Sequence, residues 1–87
     1  MSLVFIPVQL RELTAGLAEV ELSAVDVRSL IQQLEERFPG IESRLVVAGE
    51  LAPTLQVSVD GVLSRRGLAA KVQPSSEVHF LPIFGGG

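Results

Sequence analysis

The chain has no cysteine and only one histidine, His79, among its 87 residues. The first absence excludes disulfides, thiolate metal sites and a cysteine nucleophile. The second leaves His79 unable to build a metal site or a catalytic triad by itself. Positive charge is also sparse: seven Lys and Arg stand against ten Asp and Glu, for a net charge of −3. The only basic cluster is Arg65-Arg66. Phosphate binding needs arrayed cations, so nucleic acid is not an expected partner; the negative balance weakly favours a basic protein partner. No apolar run approaches the roughly 18 residues of a membrane span, and no charged leader precedes a short apolar one. A cytoplasmic protein without a membrane partner is expected.

Apolar residues make up 47% of the chain and charged residues 20%, which suits a folded domain and is too hydrophobic for disorder. A chain of this size is one domain and buries only roughly 60–65% of its unfolded surface. Its core must be small.

The run from Leu3 to Leu10 is apolar at nearly every position and reads as a strand, with Val4, Ile6, Val8 and Leu10 on one face and Leu3, Phe5, Pro7 and Gln9 on the other. Pro7 cannot donate a ladder bond, so it marks a strand end, an irregularity or a free side. After a turn at Thr14-Ala15-Gly16, Leu17 to Leu22 alternates, with Ala18, Val20 and Leu22 inward. The two segments make a hairpin with a short connection. Val27, Leu30, Ile31, Leu34 and Phe38 then recur at helical spacing behind Asp26, a predicted N-cap, and Pro39-Gly40 stops the helix.

Residues 41–53 have weak periodicity: Leu45 and Val46 are expected to tuck under the sheet, and Gly49 and Pro53 punctuate a loop. Leu55 to Val59 alternates as a strand with Leu55, Val57 and Val59 inward, and Asp60-Gly61 is a tight-turn signal before a short return at Val62-Leu63. Ser64 to Gly67 reads as loop, and Leu68 to Val72 as a helical turn or connector. Glu77 to Leu81 is the last strand, with Val78 and Phe80 inward and His79 and Leu81 outward. The order β-β-α-β-β(short)-β predicts an α+β fold: one helix on a mixed four- to five-stranded sheet. Its most hydrophobic strands, the first and last, are expected to pair in parallel at the centre, as in the ubiquitin-like β-grasp.

The chain closes on Gly85-Gly86-Gly87. With glycine at roughly 7% of average usage, three at the end has a chance probability on the order of 3 × 10⁻⁴. Glycines add no side-chain chemistry and are costly to order. Thinness and the Gly87 carboxylate are what they offer. The sequence divides into a domain over 1–82 and a flexible tail over 83–87, either a slim arm that threads a partner's channel or an idle end or cloning remnant.

Elsewhere the titratable groups are scattered. Glu35 and Glu36 are adjacent on the helix and face different directions, which reads as a solvated face. Asp60 is turn chemistry. The terminal glycines lack the strand-to-helix setting of a phosphate loop. The chain is therefore expected not to be an enzyme. Leu3, Phe5, Leu63 and Leu81, continued by Ile83 and Phe84, are candidates for an apolar patch on the face opposite the helix, either a partner-docking surface or a surface covered by loops.

Several of these segments together resemble the ThiS/MoaD-type sulfur carriers, bacterial β-grasp relatives of ubiquitin, and look most like the MoaD-like branch that includes the cysteine-biosynthesis carrier CysO. They are Val4-Phe5-Ile6-Pro7, Phe38-Pro39-Gly40-Ile41 with Glu42-Ser43-Arg44-Leu45, Val57-Ser58-Val59-Asp60-Gly61, Gly67-Leu68, and Ser76 to Pro82. Pro82-Ile83-Phe84-Gly85-Gly86-Gly87 aligns with the family's ending without a gap, so Gly86-Gly87 match its diglycine and Gly85 replaces a small alanine. Pro74-Ser75-Ser76 departs from the family's Asp-Gly-Asp, and Phe84 is bulkier than its valine. The resemblance implies that an E1-like adenylyltransferase uses ATP to activate the Gly87 carboxylate. A sulfur donor enzyme then converts it to a thiocarboxylate, and a downstream synthase receives the sulfur. No cofactor is bound by the chain itself. Ile83, Phe84, Gly85 and Gly86 are expected in the partner's channel, and Leu3, Phe5, Leu63 and Leu81 in the docking patch. The small subunit of a molybdopterin-synthase-type complex, a ubiquitin-like modifier joined to lysine, and a plain interaction module are the alternatives.

Overall fold

In the computed structural model, which describes residues 1–83, the first and last strands lie side by side within one sheet. β1 (Ser2–Phe5) buries Ser2 and Val4 and leaves Leu3 and Phe5 half-buried. It ends sooner than its hydrophobicity predicts. Pro7 has a fixed φ and no N–H, and Val8–Thr14 form a 3₁₀ helix behind it, with the Leu10 N–H donating to the Pro7 carbonyl at 2.9 Å. Leu10 and Thr14 thereby enter the core, whereas Val8 stays 72% exposed. The expected strand from Leu3 to Leu10 and its short connection are thus replaced by a strand of four residues and a long excursion. β2 (Glu19–Leu22) begins after Ala18, which is exposed and not inward as its alternation suggested; Val20 and Leu22 are buried.

α1 (Val27–Arg37) forms on the predicted stripe, burying Val27, Leu30, Ile31 and Leu34. Asp26 caps it: its carboxylate accepts from the Ser29 N–H at 2.8 Å, while the Asp26 N–H donates to the Ser29 hydroxyl at 3.4 Å. These reciprocal bonds satisfy two amides that the helix start leaves unpaired. At the other end the chain leaves through Gly40, at φ 101°. Glu35, read from sequence as a solvated carboxylate, braces this exit by accepting from the N–H groups of Gly40, at 3.0 Å, and Glu42, at 2.8 Å.

α2 (Glu42–Leu45) follows, then a small ribbon of β3 (Val46–Val47) and β4 (Glu50–Leu51) turned by Ala48 and Gly49 at positive φ. Leu45 is buried and Val46 packs on the core, as expected; two-residue strands are too short to leave a period. β5 (Leu55–Val59) and β6 (Val62–Ser64) form the hairpin around Asp60-Gly61, whose φ values of 53° and 82° are those of the turn that matches strand twist. The strand thus claims Ser64 from the expected loop. A 3₁₀ turn, Gly67–Ala69, leads to β7 (Glu77–Pro82).

The sheet order is β2-β1-β7-β5-β6. β1 and β7 are parallel and every other neighbouring pair is antiparallel. Val4, Val20, Leu22, Val57, Val78 and Phe80 face Val27, Leu30, Ile31 and Leu34 of the helix across the core. This is the ubiquitin-like β-grasp. Among the described residues no helix is long and apolar enough to cross a membrane.

Asp60 fastens the hairpin to β7: its carboxylate accepts from the Glu77 N–H at 2.9 Å and from the Ser76 hydroxyl at 2.7 Å. Those bonds hold its carboxyl below the ordinary range, first through the Glu77 amide and then through the Ser76 hydroxyl. A lowered folded value stabilises the fold above the unfolded pKa of about 3.9 and is lost as pH falls through the folded value. Thermal melts of wild type and Asp60→Asn should therefore differ most above about pH 5 and converge in stronger acid. Asp26→Ala should lower stability by about 1 kcal/mol, read from the urea midpoint at unchanged slope.

Candidate functional site

The sheet face opposite α1 is set by register. One row across it reads Glu19, Phe5, His79, Ser58 and Leu63, from β2 through β1, β7 and β5 to β6. On one side of this row lie Glu21, Leu3 and Glu77; on the other, Leu81 and Gln56. All four residues expected in the docking patch therefore share this face. They do not form one continuous patch: His79 and Ser58 stand between Phe5 and Leu63 in the central row. Leu3, Phe5 and Leu81 gather around β1 and β7, and Leu63, 55% exposed, sits alone on the edge strand.

Phe5 and His79 bind the centre of the face together. Their rings stack with centroids 4.0 Å apart and planes inclined by 7°. His79 Nε2 lies 3.8 Å from a Glu77 carboxylate oxygen on the same strand. The stack covers part of both rings, so Phe5 is half-buried although, among the described residues, no other layer lies over this face of β1.

Beside the stack an open groove of about 360 Å³ runs between the start of the chain and the end of β7, lined by Phe5, Pro7, Val8, His79, Leu81 and Pro82. Sequence reasoning placed Pro7 and Val8 in a strand and so missed this wall. The proline was the available signal, because it forces the chain off the sheet and leaves an apolar shoulder there. Arg11 steadies the shoulder, its Nε donating to the Ile6 carbonyl at 3.1 Å.

The groove opens at the end of β7. Leu55 pairs with Pro82, and the Ile83 N–H donates to the Thr54 carbonyl at 2.8 Å. Backbone bonding therefore continues one residue past the strand, and the Ile83 side chain is 47% exposed. Phe84, Gly85, Gly86 and Gly87 lie outside the described residues. Among the described residues no group of His, Asp and Glu has the arrangement to hold a metal ion. Asp26, Glu35 and Asp60, the three carboxylates held below their ordinary range, are held there by hydrogen bonds that brace turns and a helix end.

The ThiS family model matches residues 4–87, nearly the whole chain. The chain belongs to the ThiS family. Its structural relatives agree. A chain of the Amycolatopsis orientalis BexX/CysO complex is 34% identical, with all of both chains covered and a TM-score of 0.91. CysO of Mycobacterium tuberculosis is 30% identical over 95% of this chain and 99% of that one, at a TM-score of 0.89. Small archaeal modifier protein 1 of Methanosarcina acetivorans is 25% identical over 99% and 95%, at 0.80. No curated protein sequence matches. The ThiS-type chain is thus a ubiquitin-like protein of the sulfur carrier and modifier kind.

The Phe5–His79 stack predicts a spectroscopic signature. In the wild type, His79 ring-proton resonances should be displaced by the Phe5 ring current. Phe5→Leu should return them toward free-histidine positions while leaving the amide spectrum of the helix side unchanged; identical His79 shifts in both proteins would contradict the stack.

Proposed function

We propose that the chain is a sulfur carrier working through the carboxylate of Gly87. The observation that carries this reading is the family match extending through residue 87, onto a tail rooted at the end of a central strand. A carboxylate is a poor electrophile because its leaving group is oxide. An E1-like enzyme removes that obstacle: the Gly87 carboxylate oxygen attacks the α-phosphorus of ATP and pyrophosphate leaves. Sulfur supplied at the hydrosulfide level by a donor enzyme then attacks the acyl carbon. The C–S bond forms, the C–O bond to AMP breaks, and a thiocarboxylate remains. A downstream synthase takes the sulfur, and water restores the carboxylate.

Each part of the chain has a physical task in this cycle. Leu3, Phe5, Leu81 and Ile83 offer the apolar area for docking, with Leu63 at its margin. The bond from Ile83 to Thr54 fixes where the arm leaves the domain. Phe84 docks beyond it, and Gly85 and Gly86 present no Cβ to a narrow channel. ATP belongs to the activating partner, and the domain itself binds no cofactor. The likeness to an archaeal modifier supports a second reading, in which a lysine amine captures the activated Gly87 as an isopeptide.

Intact mass separates these outcomes. After incubation with an E1-like enzyme, ATP and a sulfur donor, the carrier reading expects one oxygen replaced by sulfur at Gly87, whereas the modifier reading expects lysine adducts that vanish when amines are blocked. Neither change, or an unchanged mass shift after deletion of Gly86 and Gly87, would exclude activation at this end. Leu81→Asp should raise KM about tenfold with kcat nearly unchanged, as expected for lost docking area of about 1–2 kcal/mol.

A further inference from the structure

The two edges of the sheet are finished differently. At the β2 edge the Glu21 carbonyl accepts from the Arg37 guanidinium at 3.2 Å, and the Ser23 carbonyl accepts from the Gln33 side-chain amide. Helix side chains thus occupy acceptors on that side. At the β6 edge no such cover is present among the described residues. In a two-residue hairpin the pair flanking the turn, Val59 and Val62, bond each other, so alternation directs the Leu63 N–H and C=O away from β5, toward the open side.

This edge also carries exposed apolar side chains. Val62 is 68% and Leu63 55% exposed, on opposite faces of one short strand. Beside Val62 runs an open groove of about 410 Å³, bounded by Val59, Val62, Ser64, Arg65, Ala70 and Lys71. Short edge strands flanked by charge ordinarily discourage pairing. Apolar groups on both faces of an edge, with a groove alongside, favour it.

The charge selects the occupant. Arg65, Arg66 and Lys71 border the groove, and Arg28 joins Arg65 and Arg66 around the adjoining hollow. Four of the chain's seven cations therefore collect at one edge of a protein with net charge −3. Among the described residues, Glu50 lines that hollow and Asp26 feels Lys71 and Arg28 weakly. No described carboxylate is in ion-pair contact with any of the four.

We infer that the β6 edge is a second docking surface, which takes an extended acidic segment of a partner protein as an added strand. The Leu63 N–H and C=O bond its backbone, alternate apolar side chains pack beside Leu63 on one face, and the intervening carboxylates, on the Val62 face, meet Arg65, Arg66 and Lys71 around the groove. Strand addition supplies affinity through the backbone, and the cations supply the sign. The site is separate from the tail: β6 lies two strands from β7, about 10 Å away in the sheet.

The test is an amide-resolved NMR titration of the full chain with an acetylated, amidated peptide of alternating glutamate and valine. Saturable shifts confined to residues 62–71, slowed exchange of the Leu63 amide and several-fold weakening at about 0.5 M salt are expected. The exposed double substitution Arg65→Glu with Arg66→Glu should weaken binding at least about tenfold. Leu63→Pro, which removes one outward donor on an edge strand, should do likewise while the helix spectrum stays native. Equal binding of an alternating lysine and valine peptide, shifts centred on Phe5 and Leu81, or full affinity in the double variant would overturn the inference. So would tighter binding of single-stranded nucleic acid at the same residues, or self-association of the chain through this edge without peptide.

Discussion

The parallel pairing of β1 with β7 is the contact on which the rest of the molecule depends. Leu3, Val4 and Phe5 lie beside Glu77, Val78 and His79, joining segments more than seventy residues apart. Parallel neighbours cannot be joined by a tight turn, so everything between them must be a crossover. The excursion from Val8 to Thr14, β2, the helices, the small ribbon and the β5-β6 hairpin make up that crossover. The same pairing places Val4 and Val78 on the core side and puts Phe5 and His79 ring to ring on the other. Core and candidate docking face are thus two sides of one register, and a one-residue slip would exchange them.

Carboxylates do much of the joining. Asp26, Glu35 and Asp60 each accept backbone N–H groups at a place where the chain changes direction. Turns and helix ends leave amides without partners, and a short acidic side chain supplies what a ladder cannot. Their lowered protonation values record this service. An acidic chain of this size can therefore spend its titratable groups on architecture while the proposed chemistry rests with a terminal carboxylate.

How far the sequence revealed this depended on the range of each interaction. The stripe of Val27, Leu30, Ile31 and Leu34 is a local period and was legible, as were Asp26, the Asp60-Gly61 turn and the alternation of Val78 and Phe80. The central parallel pairing followed from the hydrophobicity of the two end strands. Pro7 announced an interruption but not its form, because the shape of the excursion from Val8 to Thr14 is decided by Leu10 reaching the core. Glu35 looked idle because its partners, Gly40 and Glu42, lie beyond the helix end. The outward residues Leu3, Phe5, Leu63 and Leu81 were identified by parity, yet parity does not tell which strands are neighbours. Only the sheet order separates Leu63 from the others by Ser58 and His79.

The bond from the Ile83 amide to the Thr54 carbonyl, added to a last strand flanked on both sides, has a mechanical meaning. β7 runs between a parallel neighbour and an antiparallel one, and its last backbone bond comes from Ile83 just past the strand. A pull on Ile83 along the strand loads both ladders in shear, so their bonds share the force and do not open one after another like a zipper. The domain is anchored like a nail in a plank, hard to withdraw along its length. A load applied at Ile83 along the strand therefore moves the domain as a whole and does not unravel it.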